Sequence, residues 1–156
     1  MVRIAATGEK TFCVQASLQH VYKFFAEPAQ LCELLDGVDS HAVLDEGRVR
    51  WVLKEKVEKG LRFKGDYTVL YQGNGVDHVH WHGLDGNMGN EGDVWLATTP
   101  DGGTEIRYRE MVAPDLPITA IMARLMQPMV ARELRAELGT FLTRVKARFG
   151  VNHGAP

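Results

Sequence analysis

The sequence predicts an α+β domain: one curved antiparallel sheet of about seven strands wrapped around a long C-terminal helix, with two short helices after the first strand. Three observations lead there. Residues 41–112 alternate apolar and polar positions between turn-forming clusters. Residues 118–149 repeat their apolar positions at helical spacing. Residues 17–37 hold two short helical segments directly behind a single strand.

In chain order, "KTFCVQAS" alternates Phe12, Val14 and Ala16 with polar residues and reads as the first strand. Ser17 stands at an N-cap position, ahead of Leu18, Val21, Tyr22, Phe24 and Phe25. Pro28 suits the first turn of a second helix, "PAQLCELL", ending at Gly37. The punctuation "DEGR", "EKGL", "QGNG", "LDGNMGNEGD" and "PDGGT" then separates about six strands joined by hairpin-length connections. The closing helix runs from Ile118 to Phe149 and contains Pro128, which removes one backbone bond and predicts a kink. One helix is too narrow to fill so wide a concavity, so a cavity between sheet and helix is expected, against the alternative that large side chains fill it.

The chain of 156 residues is read as one domain over 1–150 with a frayed tail at 151–156. A net charge of -2 gives no reason to expect nucleic acid as a partner. No stretch reaches the ~18 apolar residues of a bilayer span, so membrane insertion is not expected. Cys13 and Cys32 lack metal or redox spacing and read as reduced, buried thiols of a cytoplasmic protein. The glycine-rich "LDGNMGNEGD" fits neither a phosphate loop nor a calcium loop, so no cofactor is expected, and it reads as a gate at the cavity mouth.

Strand parity assigns the inward faces. Val49, Trp51, Leu53, Glu55 and Val57 share one side. So do Leu61, Phe63, Tyr67, Val69 and Tyr71, and Ile106, Tyr108, Glu110 and Val112, each backed by a charged side. The same rule turns Val79 and Trp81 inward and His78, His80 and His82 outward, near Lys64, Asp66 and Asp93. Alternate histidines on a strand lie ~7 Å apart, close enough for two to share a zinc ion. The other reading makes them solvated wall residues. Glu55 and Glu110 either meet a polar group of a ligand, serve as general acid or base, or sit ion-paired at the rim. Tyr67, Tyr71 and Tyr108 are hydroxyl anchors or core packers, and Met122, Met126 and Met129 form a pliable lid or plain core. The candidate ligand-binding set is thus Trp51, Glu55, Phe63, Tyr67, Trp81, Tyr108, Glu110, Met122 and Met126. Arg124, Arg132, Arg135, Arg144, Lys146 and Arg148 read as solvated helix surface.

Three stretches, "FCVQASLQHVYKFFAEPAQLCELLDGVDS", "GDVWLATTPDGGTEIRYRE" and "MARLMQPMVARELRAELGTFLTRVKARF", together resemble the START-like (SRPBCC, helix-grip) superfamily. "EPAQLCELLDGVDS" is similar to the carbon monoxide dehydrogenase G-subunit-like proteins, though a longer C-terminal extension is lacking. The closing helix looks like that of the polyketide cyclase/dehydrase and lipid-transport-type group, though no catalytic motif matches. The resemblance implies a lipid-, quinone- or polyketide-like ligand. It leaves open binding or transport, cyclase/dehydrase chemistry, a homodimer, or service as an interaction module to a redox enzyme.

Overall fold

A computed structural model describes residues 1–150; the segment expected to fray, 151–156, lies outside the described residues. The chain runs β1 (Val2–Arg3), β2 (Ala6–Val14), α1 (Leu18–Ala26), α2 (Pro28–Cys32), β3 (Val38–Asp45) and β4 (Arg48–Leu53). It continues through β5 (Lys56–Glu58), β6 (Leu61–Phe63), β7 (Asp66–Gly73), β8 (His78–Gly86), β9 (Met88–Thr98), β10 (Thr104–Leu116) and α3 (Ala120–Arg148). Eight strands form one antiparallel sheet in the order β1-β10-β9-β8-β7-β4-β3, with β2 also paired to β10, and β5 and β6 pair separately.

Helix α1 follows from its cap and its spacing. The Ser17 hydroxyl accepts the His20 amide at 3.3 Å, and Val21, Phe24 and Phe25 fall on one buried face. Pro28 opens α2, which stops at Cys32, short of the predicted Gly37. Helix α3 is capped by Thr119 and stays helical through Pro128, whose missing N–H leaves the Arg124 carbonyl without its usual partner. Its buried stripe is Ala123, Met126, Leu134, Leu138, Phe141, Leu142 and Val145, which packs on the concave face of the sheet. Cys13 and Cys32 are free thiols, half-buried rather than buried.

Two expected continuous strands are each broken. The Leu53 amide bonds the Gly65 carbonyl at 2.8 Å, and the next amide, Lys54, turns to Gly37 at 2.8 Å. Beyond that point β5 and β6 leave the main sheet as a hairpin. Its turn at Lys59 and Gly60 has both residues at positive φ, as a two-residue turn between right-twisted strands requires. The stretch expected to form a loop and gate, 84–93, instead extends β8 and β9 to a tight turn around Asn87. Ion pairs fasten the neighbouring segments to α3: Arg144 to Asp36 at 2.6 Å, Arg148 to Glu33 at 2.8 Å, and Lys56 to both Glu133 and Glu137.

Candidate functional site

Between the sheet and α3 lies a chamber of about 460 Å³. Its walls are aromatic. Trp51 from β4, Tyr67 and Tyr71 from β7, Trp81 from β8 and Tyr108 from β10 all point in, opposite Leu138 and Phe141 of α3. Trp81 packs 5.4 Å from Tyr108 and 5.9 Å from Tyr71 between ring centroids, and Tyr108 lies 5.8 Å from Phe141. The mouth is bordered by residues 34–38, by Lys54 and Lys56, and by Glu137, Thr140 and Arg144 of α3.

Register explains how a carboxyl comes to sit inside. Strand pairing lines up Tyr71, Trp81, Gly92, Glu110 and Gly8 across five strands on the concave side. Glu110 therefore has a glycine on each neighbouring strand. A Cβ on Gly92 would overlap the Trp81 ring, and one on Gly8 would press against Leu138 at 2.9 Å. The missing side chains let the indole lie flat over β9 and leave open space around the carboxyl.

Asn90 joins the polar groups. Its Oδ1 accepts from the Trp81 indole N–H at 2.8 Å, and its Nδ2 donates to Glu110 Oε2 at 3.1 Å. On the far wall the Trp51 indole N–H donates to the Tyr71 hydroxyl at 3.2 Å. Glu110 is enclosed by protein, yet keeps accessible surface, and that surface looks onto the chamber. Burial raises its pKa to about 7, against the opposing bond from Asn90 and with a smaller push from Glu137. Burial likewise lifts the Tyr67 and Tyr108 hydroxyls well above their ordinary range, Glu110 adding to both, so they stay protonated donors.

Of the expected ligand contacts, the fold brings Trp51, Tyr67, Trp81, Tyr108 and Glu110 together around the chamber. Phe63 and Met126 line a smaller apolar hollow beside it, an annexe of about 140 Å³ between β6 and α3. Glu55 does not point inward: it follows the break after β4, is exposed, and bonds Arg62 at 2.7 Å. Val57, expected on the same face, is exposed too. Met122 is also outside, exposed with Ile121 and Leu125, because the buried stripe of α3 passes through Ala123 and Met126 instead. Asn90 is a site residue that the sequence conceals, since it lies in a stretch whose glycines suggest a loop. The alternation Met88, Asn90, Val94, Leu96 continuing the parity of a strand is the signal that reveals it.

The histidines face away from the chamber. His78 Nε2 and His80 Nδ1 both bond Asp93 Oδ1, at 2.8 and 2.9 Å. His78 stacks on Trp95 at 5.6 Å, with Arg107 4.7 Å from the same ring, and His80 stacks on His82. Of the expected neighbours only Asp93 is engaged; Lys64 bonds Asp39 and Asp66 bonds Arg50. Among the described residues, no group of three or more His, Cys, Asp or Glu side chains is arranged to hold a metal ion.

An antiparallel sheet gripping one long helix around a hollow is the START-like, helix-grip class of fold. Solved structures bear this out. A protein from Thermus thermophilus superposes with a TM-score of 0.70 at 20% identity, over 93% of this chain and 96% of that one. A START superfamily protein from Mycobacterium smegmatis gives 0.67 at 12% identity, covering 92% and 99%. The Zhui aromatase/cyclase from Streptomyces sp. R1128 gives 0.64 at 18% identity, covering 94% and 99%. No family model and no curated protein matches the sequence. The likeness is one of fold. No helix among the described residues is long and apolar enough to cross a membrane.

Proposed function

We propose that the protein binds or carries a hydrophobic or amphipathic small molecule in the chamber between sheet and α3. One observation supports this above the rest: the chamber combines aromatic walls with the Glu110 carboxyl and its Asn90 partner. Its volume of about 460 Å³ falls in the ~300–1,000 Å³ range of small-molecule sites. Burying ligand surface there contributes roughly 25 cal/mol per Å² before the costs of association. Native mass spectrometry of gently purified protein tests the reading, with calorimetric titration of a lipid, quinone and polyketide-like panel. A co-purifying molecule or a micromolar ligand is expected. An empty protein that responds to none of the panel overturns it.

A second reading is a cyclase or dehydratase acting by proton transfer. Its support is Glu110, held near the pH at which a carboxyl both gives and takes protons, beside two protonated tyrosines. The likeness in fold to an aromatase/cyclase raises it further. In that case Glu110→Gln abolishes turnover of a bound polyketide-like chain while leaving its affinity within a fewfold. Unchanged turnover in this variant removes the reading.

A further inference from the structure

We propose that chamber and annexe together select an amphiphile with a hydrogen-bonding, ring-sized head free of negative charge at Glu110 and Asn90 and an aliphatic tail passing Met88 into the annexe. This rests on the chamber being a ligand site, and it assigns the chemical class of that ligand.

The annexe is apolar where it is deep. Leu61 and Phe63 of β6 face Met126, Met129 and Val130 of α3, and the charged residues that border it, Lys54, Lys56, Glu58, Glu133 and Glu137, are all exposed, with Lys56 bound to Glu133 and Glu137. The two hollows share the apolar walls Leu53, Met88, Val112 and Leu134, and they share the exposed Lys54, Lys56 and Glu137 as well. Met88 is the pliable one: an unbranched thioether that can turn aside without leaving a void. The annexe has no hydrogen-bonding group at depth and suits hydrocarbon.

The chamber supplies what a head requires and excludes one kind of charge. Every polar group deep inside it is a neutral donor or acceptor, or the Glu110 carboxyl. The cations that border it stand at the mouth: Lys54 is exposed, Arg144 is already bidentate to Asp36, and Lys56 is held by two glutamates. A carboxylate head reaching Glu110 meets like charge in a poorly solvated space and finds no cation there. A phenol or carbonyl meets Asn90, the tyrosine hydroxyls and Glu110, which can accept a proton bond or donate one according to its own state. The indole and phenol rings in its walls match a flat head in shape.

The test is isothermal titration of the whole chain at pH 7 with a series from 4-ethylphenol to 4-octylphenol, and with 4-alkylbenzoates of the same lengths. Affinity for the phenols should rise about three- to fourfold per methylene until the annexe is full. Val130→Trp and Leu61→Trp plug the annexe from opposite walls, so a fold failure in one leaves the other informative. Each should end the rise at a shorter chain while keeping 4-ethylphenol within about twofold. Benzoates should bind at least about tenfold weaker than matched phenols, with the gap narrowing in Glu110→Gln. A flat chain-length series, a rise that neither plug shortens, or benzoates binding as tightly as phenols overturns this assignment and leaves the chamber as a ligand site standing. If no probe and no panel compound binds, both readings fall.

Discussion

Asn90 holds Trp81 and Glu110 at once, accepting from the indole N–H at 2.8 Å and donating to the carboxyl at 3.1 Å. One amide thus fixes the orientation of one of the two wall indoles and the proton affinity of the only carboxyl on β10 that faces the chamber. Asn90→Leu removes both bonds without removing bulk. The orphaned indole N–H should cost about 1–3 kcal/mol in urea unfolding. The Glu110 pKa should climb further, because the bond that opposed burial is gone. Stability within error of wild type would show the hub to be dispensable.

Glu110 should make stability fall as pH rises. Its pKa is about 7 in the folded chain against 4.5 for the ordinary carboxyl, so between those values the folded state holds a proton that the unfolded state has released. Below pH 4.5 both states are protonated and the group imposes no penalty. Through the window from 4.5 to 7 stability declines, and above 7 the loss levels off at an order of 2–3 kcal/mol, less where water enters the chamber. Glu137, bound to Lys56, and the hydroxyls of Tyr67, Tyr71 and Tyr108 are the other titratable groups facing it. Glu110→Gln should gain on wild type progressively across that window when unfolding is measured from pH 4 to 8. A constant difference between the two curves would contradict the raised pKa.

Gly92→Ala should be costly although alanine suits a strand. The added methyl meets the Trp81 ring and the Arg109 carbonyl, and backbone cannot move aside as a side-chain end can. A loss of about 1–3 kcal/mol in chemical denaturation is expected. A neutral result would mean that the indole is not pinned against β9.

Glu55→Ala should do almost nothing. The residue is exposed and its partner Arg62 more so, and such surface pairs contribute about 0–1 kcal/mol. Ligand affinity in this variant should equal wild type. A loss of about tenfold or more would restore Glu55 to the site.

That pair of glutamates shows where sequence reasoning reaches and where it stops. Parity places Glu110, Tyr108, Trp81, Tyr67 and Trp51 on one face, because each lies in a strand held in regular register by at least one neighbour. Glu55 follows the same alternation, but β4 ends at Leu53, and beyond a break in pairing the period of two carries no information about the parent sheet. The turn at Lys59 and Gly60 is legible; that its two strands leave the sheet is not, since nothing local distinguishes a hairpin inside a sheet from one beside it. Asn90 is masked by glycine content. Three glycines in "LDGNMGNEGD" suggest a loop when read locally, whereas Gly92 is there because Trp81, in the preceding strand, needs the space. In α3 the apolar residues outnumber the positions the sheet can cover, so spacing alone does not tell Met122 and Met126 apart.

The three tryptophans divide the molecule optically. Trp51 and Trp81 stand in the chamber wall, while Trp95 lies on the opposite side of the sheet between His78 and Arg107. Two emitters therefore look at whatever enters, and the third looks at the solvent face and serves as an internal standard. With Trp95→Phe the remaining emission comes wholly from the chamber, and the protein reports its own occupancy without a label.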